Sequence, residues 1–325
     1  MSTEQNPVKR FVADVDTSIK NSEFADWYPI VKKEFADSIR TRALLLLSLL
    51  YVGVMVFPPI VILYTDLGES AQGASAILLT LTPQILSVLV PLTAIALAYA
   101  ALSGERQSGS LKLLLSLPYT RRDVIIGKLF GRFVAIATPL AAVIVLQTLV
   151  ILPELGSDLD LSNLAALTVV SLLLALAFVG LSLGASAATS TTRRSLMVAA
   201  GVWIYLYLIW DRAAGGIFTL LQEHASVEQA TALKVELFVK LVSPIASYNT
   251  LLNSLSGGMS TREARIAMFR GLGGFLPTQK EQLAAQVLQD SVPWYLTDPV
   301  AVVVLLFWCL FPLFMGYRVF SEADL

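Results

Sequence analysis

SGERQSGSLKLLLSLPYTRRDVIIGK, residues 103–128, is a polar and interrupted stretch between two long uncharged apolar runs. Ser108 and Gly109 are expected to break the helix that emerges from the preceding run. Pro118 ends the next piece, because proline lacks an amide donor and restrains the residue before it. The sequence therefore predicts a short apolar helix over 110–117, which is too short to cross a bilayer and too apolar to be a free loop.

The residues that follow Pro118 predict the start of a long helix. Thr120 and Asp123 are spaced as a capping box, with Asp in place of the usual Glu or Gln. The helix that they open would run through Lys128 into the next apolar run. The short helix before it must then be buried against lipid headgroups or against another protein.

The composition indicates an integral membrane protein. Of 325 residues, 56% are hydrophobic and 14% are charged, and the mean hydropathy is +0.71, whereas an ordinary soluble domain has about 25% charged residues. This excludes a soluble enzyme and a disordered scaffold. Because 23 basic residues nearly balance 24 acidic ones, the chain has no basic field that would bind nucleic acid. Cys309 and His224 are single residues of their kind, so no metal or cofactor site is predicted in this chain.

Six uncharged runs are candidates to cross a bilayer, which requires roughly 20 mainly apolar residues in a helix. The fifth run has 16 residues and must either tilt little or take length from its flanks. The sequence thus predicts an all-α integral membrane protein with six transmembrane helices. The runs are 43–65, 70–104, 133–153, 161–192, 195–210 and 299–317.

Lysine and arginine are unevenly distributed among the segments that join these runs. They are frequent in the N-terminal tail and in 103–132, whereas the loops 66–69 and 154–160 carry only acidic charges. By the positive-inside rule, both termini are expected in the cytoplasm of a multi-pass plasma-membrane protein. The first run follows a 42-residue polar tail, so it is expected to act as the targeting signal in place of a cleaved signal peptide.

Three segments outside the spans complete the predicted organisation. Apolar residues recur at spacings of three and four in 24–42, which predicts an interfacial helix in the lipid headgroup layer or, alternatively, a helix packed on a partner. Within the long segment before the last run, the stretch 243–249 fits either a small packed cap or a re-entrant turn. The apolar residues of the first helix are Phe24, Trp27, Val31, Phe35 and Ile39. The predicted parts are the cytoplasmic tail and interfacial helix (1–42), spans one to five (43–210) with the short cytoplasmic helix in 103–128, an extracytoplasmic helical segment (211–298), and the last span with its tail (299–325).

Two ordered motifs carry a resemblance to a known family. The first is Glu105-x-x-Ser108-Gly109-Ser110-Leu111-x-x-Leu114-Leu115-x-x-Pro118-x-Thr120-Arg121-x-Asp123-x-x-x-Gly127-Lys128, and the second is Lys33-Glu34-Phe35-x-Asp37-x-x-x-Thr41-Arg42. The first resembles the cytoplasmic signature of ABC type-2 exporter permeases, especially the subgroup that contains the permease used in nitrous-oxide-reductase maturation. The second is similar to the N-terminal helix of that family. Six spans with a long outer segment before the last one also match its layout.

The resemblance implies a transmembrane permease subunit that is not itself an enzyme. Two permease chains, either two copies or one copy with a similar permease, would assemble with two ATP-binding subunits, which bind the ATP and Mg²⁺. The helix 110–117 would be the coupling helix, seated in a groove of the ATPase, and membrane lipid would be a further partner of the chain. The residues implied in coupling are Glu105, Ser108, Gly109, Leu113, Leu114, Pro118, Arg121, Asp123 and Lys128.

Individual roles follow from the same resemblance. Glu105 would meet the ATPase or order the helix break, and Gly109 would permit the turn. Arg121, Asp123 and Lys128 would fix the following helix by charge pairing. These roles predict that the segment joins the partner to the membrane spans.

Other functions also fit this composition. An ATP-independent carrier or channel would need no ATPase, although no run carries the central ionisable residue that an ion-coupled carrier usually needs. A membrane enzyme is suggested by Gly180-Leu-Ser182-Leu-Gly184, which has the spacing of a nucleophile elbow. Inside an apolar helix, such small residues favour close helix packing instead. A permease that serves extracytoplasmic enzyme assembly is a further alternative.

Overall fold

A computed structural model describes residues 27–64, 81–155, 160–225, 227–256, 258–269, 278–289 and 291–322. These residues form helices joined by short connections, and the described part of the chain contains no strand. The helices are α1 (Tyr28–Ile39), α2 (Arg42–Met55), α3 (Phe57–Tyr64), α4 (Thr82–Ala98), α5 (Ser103–Ser108), α6 (Ser110–Leu115), α7 (Arg121–Leu155), α8 (Leu161–Ala188), α9 (Thr192–Ile204), α10 (Trp210–Ala225), α11 (Gln229–Leu241), α12 (Pro244–Leu255), α13 (Thr261–Ile266), α14 (Gln279–Val287) and α15 (Asp298–Glu322).

Six stretches of the described chain are long and apolar enough to cross a bilayer, which confirms the predicted all-α class with six spans. The predicted positions Phe24 and 70–80 lie outside the described residues. The six stretches are Leu44–Val61, Thr82–Ser108, Arg121–Pro153, Leu161–Ala188, Thr192–His224 and Asp298–Glu322.

The fifth span is longer than its uncharged run. The helix that begins at Thr192 continues through a π-helical turn, Tyr205–Ile209, into α10 and ends at Ala225. Asp211 ends the uncharged run, but the helix continues through it. A charged residue is tolerated at this position because its carboxylate is exposed and forms a 2.7 Å ion pair with Lys240 of α11. The span therefore takes its missing length from the C-terminal flank.

The fourth and sixth spans, α8 and α15, pack backbone against backbone. A Cβ atom at Gly180 would lie 2.5 Å from the carbonyl oxygen of Cys309, and one at Gly316 would lie 2.8 Å from the Cα atom of Gly184. Ser182 is buried on the same helix, and its hydroxyl donates to the Phe178 carbonyl at 2.7 Å. The 180–184 motif therefore acts in packing here, as small residues commonly do between membrane helices.

The stretch 243–249 enters the bundle of spans. It forms the start of α12, where buried Tyr248 places its hydroxyl 3.1 Å from that of Ser171 in α8. The indole N–H of Trp308 in α15 donates to the Val242 carbonyl at 2.8 Å. Ser171 and Trp308 lie about ten residues into their helices, roughly 15 Å along each axis. These contacts pack the start of α12 against the fourth and sixth spans, and the choice between a packed cap and a re-entrant turn stays a prediction.

A buried cation joins the segment before the last span to that span. The Arg265 guanidinium of α13 is fully buried and forms a 2.9 Å ion pair with Asp298, the first residue of α15. It also donates to the Leu296 carbonyl at 2.7 Å and to the Thr250 hydroxyl of α12. This satisfied cation joins α12 and α13 to the N-terminal end of α15.

Replacing Gly184 by Ala is expected to destabilise the fold by about 1–3 kcal/mol, the usual cost of overpacking. The new Cβ would lie 2.9 Å from the Leu313 nitrogen and closer still to the Pro312 carbonyl, so the backbones of α8 and α15 must separate. Gly201→Ala is the matched control, because a Cβ there meets no atom within 4 Å. Thermal unfolding of the detergent-purified variants measures the difference, and equal midpoints for the two variants would contradict the packing argument.

Candidate functional site

The predicted break in 103–128 is present and centres on Gly109. This residue ends α5 and begins α6 with φ +74°, a left-handed conformation that favours glycine. The Ser108 hydroxyl lies 2.9 Å from that of Ser110 across the break. Helix α6 then ends at Leu115, shortly before Pro118. The result is a short helix held at an angle to α5.

Helix α6 buries one side and exposes the other. Leu111 is buried in the core and Leu114 is half-buried against it, whereas Leu113 is 73% exposed. Leu117, just after the helix, is 51% exposed. Of the two leucines predicted for partner contact, Leu113 thus faces outward and Leu114 mainly anchors the helix. Beside them is an open depression of about 480 Å³ lined by Lys112, Leu115, Ser116, Tyr119 and Arg121.

The start of α7 has the predicted capping geometry. The Asp123 carboxylate accepts from the Thr120 amide at 2.9 Å and from the Thr120 hydroxyl at 2.6 Å. The Asp123 amide donates back to the Thr120 hydroxyl at 3.2 Å. Asp123 therefore fixes where α7 begins, shortly after α6.

A buried ion-pair network joins three segments behind α6. The Lys128 ammonium, 1% exposed, donates to Glu34 of α1 at 2.6 Å and to Glu105 of α5 at 2.7 Å. Arg132, one turn further along α7, pairs with the second oxygen of Glu34 at 2.9 Å. One cation of α7 thus connects the N-terminal helix to the helix that leads into α6.

Two glycines let α1 approach α7 closely enough for this network. A Cβ atom at Gly127 would lie 2.6 Å from that of Ile30, and one at Gly131 would lie 2.5 Å from that of Glu34. The face of α1 that packs is therefore Ile30, Glu34 and Ser38, all buried. The predicted apolar stripe lies only partly in this contact, since Trp27 stacks on Phe130 of α7 with 5.3 Å between ring centres, whereas Ile39 is 45% exposed. Helix α1 is thus packed on its own chain and keeps an apolar edge outward.

The electrostatics of Glu34 reflect this setting. Burial alone would raise the pKa of its carboxyl, but Lys128 and Arg132 outweigh the burial and hold the pKa below the ordinary value of 4.5. A buried pair of this kind contributes little compared with an apolar replacement, yet removal of one partner costs about 3–5 kcal/mol. The network therefore matters most for fixing one arrangement of α1, α5 and α7.

Comparison with known proteins identifies the family. A family profile described as "ABC-2 family transporter protein" matches residues 28–325. The chain belongs to this family. It is 32% identical over 214 residues to the probable ABC transporter permease protein NosY of Pseudomonas aeruginosa, a match that covers 61% of this chain and 73% of the relative. It is also 30% identical over 190 residues to the probable ABC transporter permease protein NosY of Stutzerimonas stutzeri, covering 56% of this chain and 67% of the relative.

Membership in the ABC-2 family establishes what kind of subunit this is. The chain is the transmembrane permease subunit of an ABC transporter, a family whose permeases function with an ATP-binding subunit. Its six candidate spans make it a multi-pass membrane protein.

The structure adds residues to the predicted set. Glu34 belongs to the motif quoted for the N-terminal helix but has no partner that sequence spacing could reveal, since Lys128 lies 94 positions away. The Gly127 and Gly131 pair, spaced by four, was the available signal for close packing on α7. Arg121 also reaches a distant partner, because it contacts the C-terminal end of α15.

Lys128→Met is expected to destabilise the permease by about 3–5 kcal/mol, because two carboxylates would remain buried without their shared cation. Thermal unfolding in detergent measures this loss. Arg122→Met, at an exposed neighbouring position, is the control and should change stability by less than about 0.5 kcal/mol. Similar losses in both variants would show that the network has no special role.

The same network predicts acid sensitivity. Because the folded-state pKa of Glu34 lies below its ordinary value of 4.5, its stabilisation is complete above that value and is lost as the pH falls through the lowered pKa. Glu34→Gln should lower the free energy of unfolding at pH 7. Between neutral and acidic pH, the variant should then lose less of its remaining stability than the wild-type protein does. Unfolding midpoints across this pH range test the expectation, and parallel curves for both proteins would contradict it.

Proposed function

We propose that this permease subunit is driven by a separate ATP-binding subunit that docks on α6. The observation that carries the proposal is an exposed apolar surface on α6 and just after it. Leu113 and Leu117 face outward there, beside a charged rim formed by Lys112 and Arg121. A short helix with an apolar centre and a polar rim suits insertion into a groove of a partner protein. The partner binds the ATP and Mg²⁺.

The geometry behind α6 supports a coupling role. Gly109 sets the angle between α5 and α6, and Glu105 ties α5 to Lys128 in α7. A displacement of α6 by the ATPase is passed through these contacts to the second and third spans, and through Glu34 to α1. In this proposal Glu105 orders the helix break instead of meeting the partner directly.

The assembly is proposed to contain a second permease copy or a similar permease. Exposed leucine, isoleucine and methionine side chains on the first and fifth spans supply an apolar surface for lipid or for this second chain. They include Leu45, Leu46, Leu49, Met197, Ile204 and Leu208. The resemblance to exporters supplies the proposed direction of transport, out of the cytoplasm, with both termini inside.

A pull-down from native membrane in mild detergent tests the docking proposal. An ATPase with Walker motifs should co-elute in a stoichiometric amount, and Leu113→Glu with Leu117→Glu should reduce its recovery at least about tenfold, since centrally buried interface residues commonly contribute 2 kcal/mol or more. Leu161→Glu is the matched control, because Leu161 is 69% exposed at the far end of α8. If wild-type protein in lipid nanodiscs binds no ATPase, an autonomous carrier becomes the better assignment.

Cysteine labelling tests the orientation of the permease in the membrane. The labelled variants carry Cys309→Ala, so that the introduced cysteine is the only one, and they are studied in sealed right-side-out vesicles. An impermeant maleimide should label Gln279→Cys without permeabilisation, because exposed Gln279 lies in the outer segment. Arg122→Cys, beside the docking helix, should be labelled only after permeabilisation. The opposite pattern would overturn the proposed orientation.

A further inference from the structure

The last span ends against residues 103–128, the segment that carries α6 and is here called the docking segment. Phe320 lies two residues before the end of α15, yet its side chain is fully buried. The guanidinium of Arg121 lies 5.3 Å from the centre of its ring, and that of Arg106 lies 5.7 Å from the same centre. Arg106 belongs to α5 and Arg121 begins α7, so these cations flank α6 on either side in the chain.

Both arginines also contact the ends of long spans. Arg121 donates to the carbonyl oxygens of Phe320 and Ser321, the latter at 3.0 Å, at the end of α15. Arg106 donates to the carbonyls of Ala187 and Thr189 at 3.4 Å each, at the end of α8. The last carbonyls of a helix lack partners within the helix and carry partial negative charge, so a cation there is favourable.

Further hydrogen bonds join the start of α5 to α8. The buried Ser186 hydroxyl accepts from the amides of Leu102 and Ser103, at 3.0 Å each. Since α8 and α15 touch through their backbones at Gly184 and Gly316, they form one unit. The docking segment is fastened to that unit on both sides of α6.

We propose that Phe320 is a positioning residue, and that the Arg106–Phe320–Arg121 contact, here called the arginine clamp, carries movement of the docking segment to the fourth and sixth spans. The two guanidinium groups repel each other. They can share the Phe320 ring because its negative face attracts cations and because each guanidinium also donates hydrogen bonds to carbonyl groups at a helix end. Without the ring the clamp loses its centre, although α6 and its exposed leucines stay in place. The inference rests on the proposed ATPase docking and adds a second route beside the Lys128 network.

The clamp is tested on the assembled permease and its captured ATP-binding subunit in lipid nanodiscs. Phe320→Leu is expected to reduce permease-dependent stimulation of ATP hydrolysis about fivefold or more, a usual size for coupling between sites, while ATPase affinity for the permease changes less than about twofold. Arg106→Gln should give a similar loss, because Arg106 contacts the same ring but lies outside the charged rim beside α6. The double variant should lose no more than the larger single loss, because both changes break one contact.

A matched control exists on the same helix. Arg318 lies 5.0 Å from the ring centre of Phe314, but Phe314 is 47% exposed. Phe314→Leu and Arg318→Gln remove an arginine–phenylalanine contact of the same type and should leave stimulation unchanged. If Phe320→Leu fails to fold, Phe320→Met keeps more of the buried volume and takes its place.

The outcomes separate this inference from the proposed function. A wild-type permease that binds no ATPase would overturn both. An ATPase that binds and is stimulated equally by wild type and by the folded Phe320 variant would overturn the clamp alone. Equal losses in the Phe320 and Phe314 variants would also overturn it, since they would indicate a general effect of changes in α15.

Discussion

A buried ammonium group cannot remain unpaired, and this constraint organises the functional end of the molecule. Lys128 lies in α7 with almost no exposure and is neutralised by Glu34 and Glu105 from two other segments. Because an isolated buried charge is so unfavourable, α1 and α5 must converge on one point of α7. The position of α6 follows from that convergence, since α6 continues directly from α5 through Gly109. The proposed docking surface is thus oriented by an ion-pair network that lies behind it.

Two kinds of contact link this surface to the spans, and they differ in stiffness. Ion pairs and cation–ring contacts connect the docking segment to α1, α7 and α15, and they are specific in direction and charge. Close packing at glycines connects α8 to α15 backbone against backbone, and it connects α1 to α7 by seating the side chains of Ile30 and Glu34 against glycines of α7. Charges placed at helix ends and glycines placed between helices together form continuous routes from the membrane surface into the bundle.

Much of the fold could be predicted because its causes are local. Bilayer thickness sets the length of an apolar run, proline and glycine interrupt helices, and Thr120 with Asp123 caps one. These effects need only neighbouring residues. The end of the fifth span was predicted less well. The charge of Asp211 marks the end of an uncharged run, whereas a helix ends only where its backbone hydrogen bonds end. On α1, the apolar stripe that includes Val31 and Phe35 suggested contact with lipid headgroups or a partner, but these side chains are half-buried and the fully buried face that includes Glu34 packs on α7.

The sequence by itself therefore determined an all-α membrane protein with six spans, the broken segment around Gly109, and, through its ordered motif, the ABC permease family. Tertiary structure alone decided which residues meet. Glu34 is 94 positions from Lys128, and Arg121 is 199 positions from Phe320. No periodicity or spacing rule connects residues so far apart, because their contact depends on how whole helices pack. Hydrophobic patterning selects the helices, and close packing with charge neutralisation selects their partners.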